Sequence, residues 1–414
     1  VTAFLVFAVL LALLTWWLHR RLVRATELPR PWSVVVDVVL VALWVLASIG
    51  VGSGDVFDPG WARAPGYLGW VWLGVGFYLV LGLVVVALIS PARRLIGRLR
   101  RANGDKDAIQ SDGDDEGAVR AEGDNDEGAA EAGSDKHVDL SRRQSLRLAS
   151  ALVVVGAVAA TGYGVSEAAR PQVVRMRVPL RRLPVAFDGV RVALLSDLHV
   201  GPSRGVGFTR QTVDLVNSEK PDMVTIVGDL VDGTVAKVAP DLEPLADLEA
   251  PLGVFGVSGN HEFYADDGGR WLDVWDRLGI RTLRNEHLTI ARSGAVIDVA
   301  GVHDYSTPAP YAPDLPAALA GHDPSRFVML LAHEPRQALE ASDLGVDLQL
   351  SGHTHGGQMW PVRYLVSLQQ PSLSGLDRIG DTVLYTTRGA GAWGPPVRVG
   401  APPEITILEL VHEA

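Results

Sequence analysis

The chain has 414 residues, a net charge of −11, 48% hydrophobic residues and no cysteine. Without cysteine, disulfides, thiolate-bound zinc and iron–sulfur clusters are excluded, and either side of a membrane remains open. Opening on Val1, the sequence is expected to start from an alternative codon or to be a piece of a longer one.

Hydropathy splits the chain in two. Val1 to Leu18, Val34 to Val51 and Tyr67 to Ile89 are apolar runs long enough to span a bilayer. Leu148 to Val165 is a fourth, richer in alanine and glycine. Trp16, Trp17, Trp32, Trp61, Trp70 and Trp72 lie near the predicted boundaries, as an interfacial belt requires. Arg20, Arg21, Arg24 and Arg30 mark the first connection, and Arg93 to Arg101 with Arg142, Arg143 and Arg147 mark the third. The positive-inside rule then makes connections one and three cytoplasmic and places everything after the fourth span outside. Arg170, Arg175, Arg177, Arg181 and Arg182 run against that rule, but they alternate with apolar residues as a lead-in strand would.

Between the third and fourth spans, Asn103 to Asp139 is acidic and poor in hydrophobic residues, so a disordered linker is expected. Much of the net charge sits there and says little about the substrate. Ser141-Arg142-Arg143-Gln144-Ser145-Leu146-Arg147 resembles a twin-arginine translocation signal, with an ordinary basic membrane flank as the alternative. The expected division is residues 1–90 as three membrane helices, 91–147 as basic flanks and linker, 148–165 as a fourth helix or signal anchor, and 171–414 as the C-terminal domain.

In that last part, apolar strands alternate with helical segments, Phe208 to Ser218 and Arg270 to Leu278 among the latter, which predicts an α/β fold. Leu288 to Ala300 and Thr382 to Thr387 read as later strands. Five polar clusters punctuate the pattern: Asp197-Leu198-His199, Gly228-Asp229, Gly259-Asn260-His261-Glu262, Ala332-His333-Glu334-Pro335 and Gly352-His353-Thr354-His355. Three of them directly follow apolar runs, at 190–195, 223–227 and 327–331. Ligands of open α/β sheets gather beyond such strand ends. Carboxylates, imidazoles and one amide suit manganese, iron, zinc or magnesium. The donors exceed what one ion needs, and two ions roughly 3.5–4 Å apart can clamp a phosphoryl group. Taken singly, Asp197 and Asp229 read equally well as helix N-caps and Asn260 as a turn residue. His303 reads as an ordinary loop residue, and His287 and His322 as surface residues.

The five blocks in order resemble the calcineurin-like metallophosphoesterase superfamily, whose signature is D-x-H, G-D, G-N-H-[ED], H and G-H-x-H. The tail from Trp393-Gly394-Pro395-Pro396 to Thr406 resembles a membrane-associated bacterial branch, and the likeness runs from about Val173 to Leu410. That resemblance implies a two-sheet α/β/β/α sandwich and two divalent metal ions. By the same resemblance, Asp197, His199 and His355 would hold one ion, and Asn260, His333 and His353 the other, with Asp229 bridging. His261 would face the substrate, stabilising phosphoryl oxygens or protonating the leaving group, and a metal-bound hydroxide would be the nucleophile.

The expectation is a multi-pass membrane phosphoesterase with an extracytoplasmic active site. A phosphodiester is preferred, on a lipid or cell-envelope substrate, and no nucleic-acid partner is expected. Trp360, Tyr364 and Trp393 are either pocket walls or packing residues. Rival readings are a phosphomonoesterase with the same site and a catalytically silent metal-binding receptor. A transporter is not favoured, because the spans have few polar residues and no broken-helix pair.

Overall fold

A computed structural model describes residues 2–111 and 142–413. Four helices precede the α/β domain: α1 (Thr2–His19), α2 (Arg30–Gly52), α3 (Pro59–Ser111) and α4 (Arg142–Ala168). A π-helical turn at Arg20–Arg24 extends α1. The stretches Phe4–Arg24, Arg30–Gly52, Pro59–Leu88 and Gln144–Ala168 are each long and apolar enough to cross a bilayer. Because α3 continues to Ser111, the start of the expected linker, Asn103–Ser111, is helical. Residues 112–139 of that linker lie outside the described residues.

Glycine lets the helices touch. A Cβ on Gly69 would stand 2.1 Å from the Leu46 carbonyl oxygen, and one on Gly66 would stand 2.8 Å from the Gly50 Cα. Small residues at such crossings replace the hydrophobic drive that lipid removes. Asp37, an acid inside the second span, is bonded at 2.6 Å by His19 Nδ1.

Beyond α4 the domain is built from two six-stranded sheets. The first is made of β1 (Gln172–Leu180), β2 (Arg191–Leu195), β3 (Met223–Val227), β4 (Val254–Val257), β5 (Arg281–Thr282) and a last strand, Glu404–His412. Its helices are α5 (Val206–Ser218), α6 (Val235–Val238) and α7 (Gly268–Arg277). The second sheet holds β6 (Glu286–Arg292), β7 (Ala295–Gly301), β8 (Phe327–Leu331), β9 (Leu348–Ser351), β10 (Gly375–Ile379) and β11 (Thr382–Thr386). It carries α8 (Leu315–Ala318), α9 (Ala338–Asp343) and α10 (Arg363–Val366). With the last strand as β12, the orders are β1-β12-β2-β3-β4-β5 and β10-β11-β9-β8-β7-β6. The basic alternating stretch after α4 is β1, paired in parallel with β12. The run read as one strand from Leu288 to Ala300 is a hairpin, broken where Ser293 and Gly294 both take positive φ.

Alternation along β2 explains the layering. Val192 and Leu194 face the core between the sheets, with Val299, Met329, Leu350 and Leu408. Ala193 and Leu195 face outward against α5 and α7, beside Val213, Val216, Trp271 and Trp275. Side chains two apart share a face, so a strand covered on both faces must be apolar throughout. A third cluster puts α8 and α9 on the outer face of the second sheet, which completes an α/β/β/α sandwich.

The domain sits at one end of the bundle. Gly54 in the α2–α3 connection accepts a hydrogen bond from the Thr234 amide at 3.0 Å. Arg63 donates to the Gly201 carbonyl at 2.9 Å and pairs with Asp241. Arg398 donates its backbone N–H to Gly164 of α4 at 2.9 Å. At the opposite end, Arg147 donates to the carbonyls of Thr26 and Glu27 at 2.8 and 2.7 Å. The basic α1–α2 connection and the α/β domain therefore lie on opposite sides of the four helices.

Candidate metal centre

The candidate ligands follow the carboxyl ends of parallel strands from both sheets. Asp197 and His199 follow β2, Asp229 follows β3 and Asn260 follows β4, whereas His333 follows β8, and His353 and His355 follow β9. The loops are tight enough to force unusual backbone. Asp197, His199, Asp229, His353 and His355 all have positive φ, half of the ten non-glycine residues in that region among the described residues. Such conformations cost energy and collect at functional sites, so their concentration on the candidate ligands marks the site without reference to any motif. Gly228 admits a close approach, since a Cβ there would stand 2.3 Å from the Gly259 amide nitrogen.

The donors converge. Asp197, His199 and His355 form one group, His199, Asp229 and His261 a second, and Asp229, His333 and His353 a third. Within each group the donor atoms lie within 4.8 Å of one another. The Nε2 atoms of His199 and His355 are 3.0 Å apart, and His355 Nε2 is 3.3 Å from the Asp197 carboxylate. His333 Nε2 lies 3.2 Å from Asp229 Oδ2 and 3.2 Å from His353 Nδ1. Asn260 joins through its oxygen, 3.1 Å from His353 Nδ1, while its amide nitrogen donates to the Tyr264 hydroxyl at 2.6 Å.

This donor set fits a divalent metal. Nitrogen lone pairs and carboxylate oxygens face a common point, and the far nitrogens of the key rings are already held. Asp232 Oδ1 accepts from Nδ1 of His199 at 3.0 Å and from Nδ1 of His261 at 2.6 Å. His333 Nδ1 donates to the Val227 carbonyl at 2.6 Å. For His199 and His333 such a bond fixes the tautomer and leaves Nε2 for the centre, as outer partners do around metal-bound histidines. His355 differs, since its Nδ1 lies 3.0 Å from the buried guanidinium of Arg398. Both Nη2 protons of Arg398 have carbonyl partners, at Arg388 (2.8 Å) and Gly391 (2.7 Å).

The protonation pattern follows from burial and charge. Burial, then the cation of Arg398, holds His355 well below the usual histidine range, and so keeps the ring neutral. Burial and the His333 charge bring His353 down to about 3. Burial alone would raise Asp229, but His333 and His261 outweigh it and hold the carboxyl well below the ordinary value. His261 moves the other way. Burial opposes its charge, yet Asp229 and Asp232 raise it to about 9.

Three of the residues that shape the centre stood outside the sequence reading as functional groups. Asp232 orients two histidines, and its signal was its place three residues after Asp229 in the same strand-end loop. Glu262 was seen only as the last letter of its block. It accepts from the amides of Gly259 (2.7 Å), Asp229 (3.1 Å) and Leu230 (2.8 Å), tying two ligand-bearing turns together. Arg398 had no local signal. Among the other histidines, His303 is buried and lies 3.2 Å from the Ser258 hydroxyl, away from the donor groups. His287 is half-buried rather than on the surface, bonding the Ala318 carbonyl at 2.7 Å.

A cavity of 390 Å³ opens over the donors. Asp229, Asn260, His261, His353 and His355 form its polar floor, and Tyr264, Met359, Val362, Val366, Trp393 and Pro395 form its walls. Trp393 is thus a wall residue, while Trp360 and Tyr364 stand outside the lining and are exposed.

Comparison with known proteins agrees with this geometry. A family profile described as calcineurin-like phosphoesterase matches residues 190–357. An uncharacterized metallophosphoesterase of Bacillus subtilis is 31% identical over 286 residues, covering 66% of this chain and 98% of its own length. A zebrafish (Danio rerio) protein described as a transmembrane protein with metallophosphoesterase domain is 36% identical over 277 residues, 64% of this chain. The chain spans 63% of that relative and 64% of its bovine counterpart.

Proposed function

We propose that the chain, which belongs to the calcineurin-like phosphoesterase family and carries four helices long and apolar enough to cross a bilayer, is a membrane-associated, metal-dependent phosphoester hydrolase and, more narrowly, a dinuclear-metal phosphodiesterase. The observation that carries this reading is the shared position of Asp229, whose carboxylate belongs to two of the three donor groups. In this reading Asp197, His199 and His355 would hold one ion and Asn260, His333 and His353 the second, with the Asp229 carboxylate shared between the two sets. Divalent ions bound there would supply Lewis acidity toward a phosphoryl oxygen and ready a water for attack at neutral pH.

The remaining steps fall to side chains. In this reading His261 gives an Nε2 proton to the departing alkoxide, and Asp232 holds the ring at Nδ1 while it does so. The lining favours a diester. It includes neither lysine nor arginine to hold a monoester dianion, and its apolar walls accommodate a second ester group.

The catalytic domain faces away from the cytoplasm in this reading, since it lies opposite the basic α1–α2 connection. Protease added to intact cells should then digest it. The segment Ser141 to Arg147, whose first residue lies outside the described residues, would route the domain through twin-arginine translocation. Replacing Arg142 and Arg143 together by lysine should block its export.

The chemistry is tested with the full chain in detergent micelles, loaded in turn with manganese, iron, zinc or magnesium. The expected result is a higher kcat/KM for bis(p-nitrophenyl) phosphate than for p-nitrophenyl phosphate. A monoester preference would overturn the diesterase reading.

A further inference from the structure

One wall of the catalytic cavity comes from a membrane helix. Phe77 of α3 lines the same space as Asp229, His261 and His353. The apolar run of α3 begins near Tyr67, so Phe77 lies ten residues, or about 15 Å of helix, inside it.

The loops that complete the wall are fastened to the bundle. Gly74 of α3 leaves no room for a Cβ, which would stand 2.9 Å from Val397, and Gly164 of α4 would meet the same side chain at 2.5 Å. Gln358 ties the two cavity loops together, donating to the carbonyl of Trp393 at 2.8 Å and accepting from its amide at 3.0 Å. Next to the cavity, α10 and its flanks present Trp360, Tyr364, Leu365 and Leu368, exposed by 51, 62, 65 and 82%. A water-facing rim does not ordinarily carry four large apolar side chains side by side. Trp393 is itself 59% exposed, so the wall is not merely glue between domain and bundle.

We propose that the site takes an amphiphilic phosphoester drawn from the bilayer. Its phosphate would reach the metal centre while its apolar chain lies along Phe77, Met359, Val362, Val366 and Trp393. This assignment rests on the phosphodiesterase reading above and names its substrate class. Phe77 and Val366 are its specificity-determining residues.

The experiment uses the full chain in phosphatidylcholine nanodiscs with p-nitrophenyl alkyl phosphodiesters bearing methyl, octyl and hexadecyl chains. Each methylene buried is worth about fourfold in binding, so kcat/KM should rise at least tenfold from methyl to octyl. Phe77→Asn and Val366→Asn should each cut that gain to less than threefold, and Phe77→Leu should restore it. Thermal melting of each variant excludes misfolding as the cause. A flat chain-length profile in the unmodified protein overturns the proposal and leaves the phosphodiesterase reading standing. Where no metal gives turnover, that reading fails instead, and calorimetric binding of methyl-, octyl- and hexadecylphosphonate decides the cavity. Tighter binding with length, weakened by Phe77→Asn, supports the apolar channel, and length-independent binding overturns it.

Discussion

The catalytic centre and the membrane bundle are held by opposite means. At the centre, position is fixed by satisfied polar groups: Asp232 holds two imidazoles, Glu262 holds three amides, and Arg398 is enclosed by carbonyls. In the bundle, position is fixed by missing side chains, with Gly50, Gly66 and Gly69 letting backbones meet. A polar network is intolerant of chemical change and a close-packed crossing is intolerant of volume. The two regions should therefore fail separately.

The largest separation is expected from His261→Ala. Removing the proposed acid should lower diester turnover by about 10²–10⁴-fold, with metal content and helix packing unchanged. Turnover measured beside metal analysis checks this, and a loss of metal would instead make His261 a ligand. Asp232→Asn comes next. Loss of an outer partner of two histidines should cost about 10–100-fold in metal affinity or activity, seen in a metal titration.

The bundle supplies the converse test. Gly69→Leu pushes a side chain into the Leu46 carbonyl and should destabilise the protein by about 1–3 kcal/mol in thermal melts. Its kcat on a short diester should change by less than about threefold, roughly 0.7 kcal/mol of barrier. Loss of catalysis in parallel with stability would show that the regions are not independent.

The smallest effect is one of pH. Folding raises the His261 pKa to about 9, above the ordinary value near 6.5, so the folded chain keeps a proton that the unfolded chain releases between those values. Metal-free protein should accordingly be most stabilised by this group below pH 6.5 and lose that stabilisation as pH rises through 9. Melting temperatures across that range should fall, and His261→Asn should flatten the slope.

The same contrast explains what could be read from the sequence. Asp197, Asp229 and His333 stood out because each follows a strand buried on both faces, which is visible as an unbroken apolar run. The spans were visible for the same reason. Residues that act across large gaps left no local trace. Arg398 reaches His355 from forty-three positions away, and Phe77 reaches the cavity from another part of the chain. The β6–β7 turn was hidden because Arg292-Ser293-Gly294 interrupts the apolar pattern for only three residues. The helical extension of α3 to Ser111 ran through residues whose composition argued for a linker.

The central claim is that two ions share the Asp229 carboxylate. The most direct test is metal content per folded chain, with diester turnover, for the unmodified protein and for Asp229→Asn. Two ions per chain with turnover, and loss of both stoichiometry and turnover in the variant, is the predicted result. A single ion in the active unmodified protein, or an Asp229→Asn protein that keeps two ions and full turnover, would contradict it.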